Sequence, residues 1–260
     1  MQRSTRCHKG AALFAIAVLL TLTQSAFAQP APQTQLAEAA ELIRDFTDAG
    51  DDSIPTELIQ RARAIAVVPN VFRGGFILGA RRGRGVLSVR TEDGSWSNPA
   101  FVTLTGGSIG WQIGAESTDV VLIFANENAV RNIATGKFTL GGEATAIAGP
   151  LRRQASSTMT FRAEVYGYLR SRGLYAGAAF QGARLNIDDE LGQTFYGNHS
   201  GAAPLARQSM STPADARRFL IALDQAVTGL PSVPAEQDGA APEQVPVESA
   251  NGARTFPLPD

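Results

Sequence analysis

Arginine is the residue type in this sequence whose spacing most suggests chemistry. The segment RGGFILGARRGRGVLSVR, residues 73–90, holds five arginines, five glycines and no acidic residue. The acid-free stretch extends over residues 58–91 and also includes Arg61 and Arg63. A guanidinium group stays charged and presents a planar fork that fits phosphate or carboxylate oxygens. The segment therefore predicts a surface that binds an anionic ligand.

Turn positions are expected to expose these arginines. RRGR, residues 81–84, stands between two apparent strands and is predicted to be a hairpin tip or turn, in which Gly83 and Gly85 let backbone amides approach an anion. A second group lies around Gly149 and Gly173 and is expected at the same end of the sheet. The candidate binding residues are Arg73, Arg81, Arg82, Arg84, Arg90, Arg152, Arg153, Arg170 and Arg172.

An anionic membrane is the partner that this charge fits best. A basic residue near an anionic bilayer contributes on the order of 1 kcal/mol, so five would contribute roughly 5 kcal/mol before entropy costs. Attachment of this kind is weak and salt-sensitive, and an amphipathic helix would strengthen it. Nucleic acid is disfavoured because aromatic residues do not alternate with the arginines.

Catalytic alternatives have less support. GGSIG, residues 106–110, fits the G-x-S-x-G pattern with Ser108 as nucleophile, and Asp119 and His199 follow in hydrolase order. That motif requires a strand, a sharp turn and a helix, whereas the residues after Ser108 have the pattern of a strand. His199 is interpreted as a loop residue. The chain is therefore not predicted to be an enzyme.

No cofactor or metal is expected. The chain has one cysteine, Cys7, and its histidines are His8 and His199, which is too few for a cysteine or multi-histidine zinc site. A phosphate-binding P-loop and a dinucleotide-binding G-x-G-x-x-G pattern in a strand-to-helix context are both absent from the sequence.

Residues 1–28 have the pattern of a secretory signal peptide. A basic start is followed by an apolar run from Ala11 to Leu22 and by Ala-Phe-Ala at 26–28. Cys7 precedes the apolar run, so it does not stand where a lipid-acceptor cysteine would. The expected location is periplasmic or secreted, with possible peripheral contact to the envelope membrane.

One domain is predicted over residues 34–230. Its helical segments are 36–49, a short segment after Ser53, a segment capped by Asn126, and a segment from Thr212 with Pro213 in its first turn. Residues 231–260 are rich in Pro, Ala and Glu and are predicted to be a disordered acidic tail.

Short strands punctuated by glycine are predicted between residues 74 and 188. STMTFRAEVYGYL alternates strictly, with Phe161, Val165 and Leu169 predicted to be buried and Tyr166 and Tyr168 to face a wet or half-wet side. LYAGAAFQGARLNI is predicted to be its hairpin partner. The predicted fold is a single α+β domain: a glycine-rich antiparallel sheet, curled toward a barrel, with flanking helices.

Four ordered motifs resemble one known family. They are GGFILGARRGRGVLSVR, GSWSNPAFVTLTGGSIGWQIGAESTDVVLIF, GKFTLGGEATAIAGPLRR and AEVYGYLRSRGLYAGAAFQGARL. From about Arg61 to Gly197 the sequence is similar to the SYLF domain family. Eukaryotic members of that family bind phosphoinositides, and some are associated with actin patches; bacterial members are typically secreted or lipid-anchored.

The resemblance implies a lipid-binding activity that uses basic residues and an amphipathic N-terminal helix. In this chain the matching features are the segment 36–49, which is similar in kind only, and the basic segment 81–84. Because export would separate the protein from cytosolic actin, the expected ligands are phosphatidylglycerol, cardiolipin or lipopolysaccharide phosphates. An envelope scaffold whose acidic tail contacts a protein partner is the alternative.

Overall fold

Five α-helices and nine β-strands make up the regular structure of the described residues. The computed structural model describes residues 31–75, 78–109, 114–134, 137–141, 146–154, 161–171, 173–177, 182–197, 201–206 and 211–229. The helices are α1 (Pro32–Asp48), α2 (Thr56–Arg61), α3 (Glu127–Ala134), α4 (Asp189–Tyr196) and α5 (Ala214–Thr228). The strands are β1 (Ala64–Gly75), β2 (Leu78–Val89), β3 (Ala100–Ile109), β4 (Gly114–Phe124), β5 (Lys137–Thr139), β6 (Ala146–Ala148), β7 (Val165–Ser171), β8 (Leu174–Gly177) and β9 (Arg184–Ile187).

The strands form one curled sheet, which confirms the predicted fold class. Their order in the described chain is β5-β9-β3-β2-β1-β4-β7-β6, and β8 pairs with β7 beside β6. Every pair is antiparallel except β6 with β7. The predicted signal peptide, residues 1–28, and the predicted tail, residues 231–260, lie outside the described residues.

Both faces of the sheet are covered over the half that contains the start of β1. On one face, here called the α1/α5 face, Ile65, Val67 and Val86 lie in one apolar cluster with residues of α1, α2 and α5. On the other, here called the α3 face, Ala66 and Leu87 lie in a second cluster with residues of α3. Burial on both sides explains why the central strands are rich in Val, Ile and Leu rather than alternating with polar residues.

Double burial also explains one wrong prediction. Tyr166 and Tyr168, expected on a wet face, are 2% and 0% exposed and pack beneath the helices. The Tyr168 hydroxyl donates to the Pro150 carbonyl at 2.9 Å, so its polar atom is satisfied despite burial. Burial raises the pKa of Tyr168.

The basic segment 81–84 is not a hairpin tip. It lies inside the continuous strand β2, and the connection from β1 to β2 falls between Gly75 and Leu78. The prediction was wrong because Gly83 and Gly85 are required by a close contact with β1 and not by a turn. A Cβ on Gly85 would lie 2.1 Å from the Val67 carbonyl oxygen, and one on Gly83 would lie 2.7 Å from a Val71 methyl group.

An irregularity in β1 creates this close approach. The pairing register of β1 shifts between Val67 and Phe72, where Pro69 and Asn70 form a bulge and Asn70 has a φ of 52°. A proline is tolerated at a bulge because it has no ladder hydrogen bond to donate there. The glycines of β2 are therefore spacers beside a bulged strand.

Several element boundaries also differ from the sequence prediction. Pro213, rather than Thr212, occupies the N-cap of α5, without a side-chain hydrogen bond. The segment predicted to be the hairpin partner of β7 forms two strands. The first, β8, pairs with β7, whereas the second, β9, lies at the other side of the sheet and pairs with β3 and β5.

Two helix starts can also be compared with the sequence prediction. Helix α4, which was not predicted, begins after Asp188, whose carboxylate accepts from the Leu191 amide. The Asn126 cap is confirmed, since its side chain accepts from the Asn128 amide at 2.8 Å.

We expect Gly85→Ala to lower the free energy of unfolding by roughly 3 kcal/mol, because the new methyl group must displace the backbone of β1. Urea unfolding followed by circular dichroism measures the change. Gly107→Ala on β3 is the matched control: no atom lies within 4 Å of the added Cβ, so the change should stay below about 1 kcal/mol. Equal stability of the two variants would contradict the spacer role.

Candidate functional site

Arg170 is the most firmly held of the predicted binding residues. On β7 it donates from Nε and Nη2 to Asp119 at 3.0 and 2.7 Å, and it also pairs with Asp45 of α1. Partial burial lowers its pKa, but the hydrogen bonds to Tyr175, Asp45 and Asp119 outweigh this effect and leave the pKa raised. Arg170 therefore joins β4, β7 and α1 and is not available to an external anion.

Asp119 also reaches the β1 bulge. Its second carboxylate oxygen accepts from the Asn70 amide at 3.0 Å, and the Asn70 side chain approaches Glu38 of α1 at 3.5 Å. One carboxylate thus holds both Arg170 and the bulged backbone. This observation also assigns Asp119 a structural role instead of the triad role that the G-x-S-x-G reading gave it.

Arg84 and Arg90 are also engaged. Arg84 forms an ion pair with Asp188 at 3.2 Å, and Thr103 donates to the same carboxylate. Arg90 donates to the Ala62 and Gly94 carbonyls, and its guanidinium lies 4.2 Å from the Trp96 ring centroid. The pKa of Arg90 is lowered, mainly by burial. Asp224 opposes this effect, and the neighbouring Arg63 adds to it.

Arg73 and Arg81 form a cross-strand pair on the α3 face. Both are half-buried and both have further polar or charged partners. Burial and the neighbouring Arg73 lower the pKa of Arg81. These two arginines therefore belong to a different face from Arg82 and Arg84.

The second predicted group lies apart from the first. Arg152 and Arg153 occupy a 3-10 turn, where Arg152 contacts the Thr56 hydroxyl at 3.3 Å and Arg153 pairs with Asp52. Arg172 lies outside the described residues. The predicted convergence of all nine arginines at one end of the sheet is therefore not found among those that the structure describes.

Arg82 and Arg184 remain as an exposed cationic pair. Arg82 pairs with Thr105 on β3, and Thr105 pairs with Arg184 on β9, so both arginines stand on the α1/α5 face in one row across the sheet. Two strand spacings separate their Cα atoms by about 10 Å. Neither guanidinium has an ion pair or hydrogen bond with a residue that the structure describes. Sequence reasoning missed Arg184, although its place in an alternating strand, RLNI, was a usable signal.

An exposed aromatic side chain continues this row. Phe72 pairs with both Arg82 and Ser117, lies on the same face and is 54% exposed. Leu174, at the start of β8, is 75% exposed, but it pairs with Ser171, the residue after Arg170, and so stands on the opposite face of the sheet. Arg82, Arg184 and Phe72 are together called the sheet-end surface below.

Helix α1 does not contribute an exposed apolar face. Leu36, Ile43 and Phe46 are 0% exposed and pack against the sheet and α5. The expectation that this amphipathic helix strengthens membrane contact is therefore not supported by the folded arrangement. Its periodicity reflects core packing, which is the commoner origin of such a pattern.

The chemistry available at the sheet-end surface is anion binding beside an apolar contact. Ser108 lies within β3, where its backbone pairs with Gly79, so no strand-to-helix elbow forms around it; His199 is outside the described residues. Within the described ranges there is no cluster of His, Cys, Asp or Glu suited to a metal ion. No described helix has the length and apolar character needed to cross a bilayer.

Comparison with known proteins identifies sequence relatives of this chain. The fold is that of a single-domain α+β protein with a curled sheet and packed terminal helices. A family model described as Ysc84, Las17-binding protein actin regulator, matches residues 105–226. The chain is 31% identical over 202 residues to Protein YSC84 of Saccharomyces cerevisiae, covering 74% of this chain and 43% of the yeast protein.

Vertebrate proteins match over similar lengths. SH3 domain-containing YSC84-like protein 1 of Homo sapiens is 33% identical over 200 residues, which is 74% of this chain and 58% of the human protein. The Xenopus laevis protein of the same name is 38% identical over 168 residues, 62% of this chain and 50% of that protein. The chain spans about half the length of these curated relatives. Together the family match and the relatives identify the domain as a member of the Ysc84/SYLF family, which confirms the resemblance found in the sequence motifs.

We expect Arg170→Met to lower the free energy of unfolding by about 2 kcal/mol, because it removes charged hydrogen bonds and leaves Asp119 without its cation. Arg82→Met is the matched control and should change stability by less than about 0.5 kcal/mol, since it removes an exposed cation from the same sheet. Urea unfolding of both variants measures the difference. A larger loss of stability in Arg82→Met than in Arg170→Met would contradict the structural role assigned to Arg170 and the exposed position assigned to Arg82.

Proposed function

We propose that this protein is a peripheral binding module for anionic phospholipid surfaces and that the sheet-end surface makes the contact. The observation that carries the proposal is the exposed pair Arg82 and Arg184 beside the exposed ring of Phe72. Cations bring the surface to anionic head groups, and the aromatic ring enters the interfacial region. Family membership supports a lipid-related role.

Charge arithmetic predicts weak attachment. Two exposed arginines contribute about 2 kcal/mol at an anionic membrane, rather than the roughly 5 kcal/mol expected for five unpaired ones. Insertion of Phe72 adds on the order of 1 kcal/mol, because full burial of such a side chain contributes about 1.5–3 kcal/mol and half of it is already covered. The total lies near the free energy of a millimolar dissociation constant. Binding is therefore reversible, salt-sensitive and dependent on a dense anionic surface.

Location decides which lipids the surface meets. The pattern of residues 1–28 supports export to the periplasm or beyond. There the anionic groups are those of phosphatidylglycerol, cardiolipin or lipopolysaccharide. The proposed activity is binding without catalysis, so Ser108 has no reactive role in it.

A protein-interaction module is the second candidate. The family description names Las17 binding and actin regulation, which supports protein contacts for proteins of this family. In this chain the acidic segment 231–260 is the candidate contact. Co-purification of a partner that survives deletion of residues 231–260 would remove the tail from this role.

Liposome flotation of the full chain tests the membrane proposal. Vesicles of phosphatidylcholine with phosphatidylglycerol should bind the protein, whereas phosphatidylcholine alone should not, and added salt should weaken binding. Arg82→Gln with Arg184→Gln should lower the partition coefficient roughly 30-fold, since each charge contributes about 1 kcal/mol.

The control for this experiment removes the same charge elsewhere. Arg217 and Arg218 are exposed on α5, so Arg217→Gln with Arg218→Gln should retain most of the binding. Equal, salt-independent binding to both vesicle types would reject the electrostatic account. An equal loss in the two double variants would reject the sheet-end surface as the contact.

A further inference from the structure

A polar pocket lies at the end of the sheet opposite the sheet-end surface. It has a volume of about 420 Å³ and opens where β1 begins, β4 ends and β7 begins. Its walls include Arg63, Arg131 and Arg162 together with Phe161. This volume is within the range of sites that hold small ligands. No residue of the sheet-end surface lines it, so the pocket is a separate feature of the fold.

The floor of the pocket is fixed by hydrogen bonds between its chain segments. The Arg63 amide donates to the Phe124 carbonyl at 2.7 Å, and the Ala125 amide donates to the Glu164 carbonyl at 2.8 Å. The Ala163 amide donates to the hydroxyl of Tyr166 at 2.9 Å, and Tyr166 is 2% exposed. Three chain segments from distant parts of the sequence are thereby held at one place, so that the side chains projecting from them line one cavity.

The charges around the pocket favour an anion. Three arginines and one described carboxylate, Glu164, line it. Asn126 already donates to that carboxylate at 3.5 Å. Arg131 is oriented by a hydrogen bond to the Asn128 side chain, and the exposed guanidinium of Arg162 has no ion pair or hydrogen bond with any residue described by the structure. The lining therefore carries a surplus of guanidinium charge.

The neighbouring helix terminus adds to this potential. Asn126 caps α3 at the rim of the pocket, so the positive end of the helix dipole lies beside the arginines. Phe161, which also packs near the Arg61 guanidinium at 5.7 Å, supplies an apolar wall. A ligand that combines a phosphate with a small organic group fits this lining, because the phosphate can contact the arginines and the organic group can contact Phe161.

We propose that this pocket binds the phosphate of a small phosphomonoester. Arg131 and Arg162 donate to its oxygens, and Arg63 adds positive charge at the base. The organic part lies against Phe161 and the adjacent alanines. The proposal does not rest on membrane binding by the sheet-end surface. A soluble phosphomonoester and a phosphatidic acid head group present the same chemistry, so the experiment has to separate these two sources.

Thermal unfolding of the full chain provides the primary test. Inorganic phosphate and glycerol 3-phosphate should each raise the Tm relative to chloride of equal ionic strength. Arg131→Gln with Arg162→Gln should weaken this effect at least about tenfold in ligand concentration, because charge-assisted hydrogen bonds are lost. The control Arg217→Gln with Arg218→Gln should keep the full Tm rise. Arg162→Glu is a single exposed substitution that should abolish the effect without repacking the core.

The outcomes are distinguishable. No Tm rise in the original chain, or the same rise in the pocket variants, overturns the proposal. With the rise established, flotation on phosphatidylcholine vesicles containing phosphatidic acid assigns the source: loss of flotation in the pocket variants supports a lipid head group, and retention supports a soluble phosphomonoester. A variant lacking Arg82 and Arg184 that no longer floats but keeps the Tm rise shows that the two sites act separately.

Discussion

The approach of β2 to the bulge in β1 is the contact on which the rest of the structure depends. Gly85 lies against the Val67 carbonyl so closely that no side chain fits, and a Cβ on Gly83 would also clash, though less severely, with the side chains of Val68 and Val71. The bulge reorients the strand after Asn70, and it divides the sheet into two parts. Before it, helices cover both faces; after it, Phe72 and Arg82 stand on an uncovered face. The local backbone irregularity thus decides which arginines meet solvent.

Carboxylates add to this division by holding individual arginines in ion pairs within the fold. Asp119 holds Arg170 and the bulge amide at once, and Asp188 both caps α4 and pairs with Arg84. An arginine held by two or three hydrogen bonds contributes to the stability of the fold, because an external phosphate would have to displace those partners. Residues 58–91 contain no acidic residue, but in the fold an acidic side chain from another segment, Asp188, pairs with Arg84. Long-range pairing neutralises part of it and leaves a smaller cationic surface.

The sequence predicted the class of fold and the family more reliably than the site. The apolar periodicity of the helices and the short strands separated by glycine were sufficient to predict an α+β domain with a curled sheet. Asn126 was sufficient to predict where α3 begins. The alternation in β7 misled because it indicates two faces but not what covers them, and helices cover the tyrosine face. The turn assigned to residues 81–84 failed for a similar reason: a glycine required by a neighbouring strand has the same appearance in sequence as a glycine required by a turn.

The separation of the two cationic features has a consequence for any membrane-bound state. From Arg63 to Phe72 the extended strand spans roughly 30 Å, several Debye lengths at physiological ionic strength. Charges at one of these features therefore have little electrostatic effect at the other. The two features also share no residue. The geometry consequently favours independent occupancy of the two proposed sites.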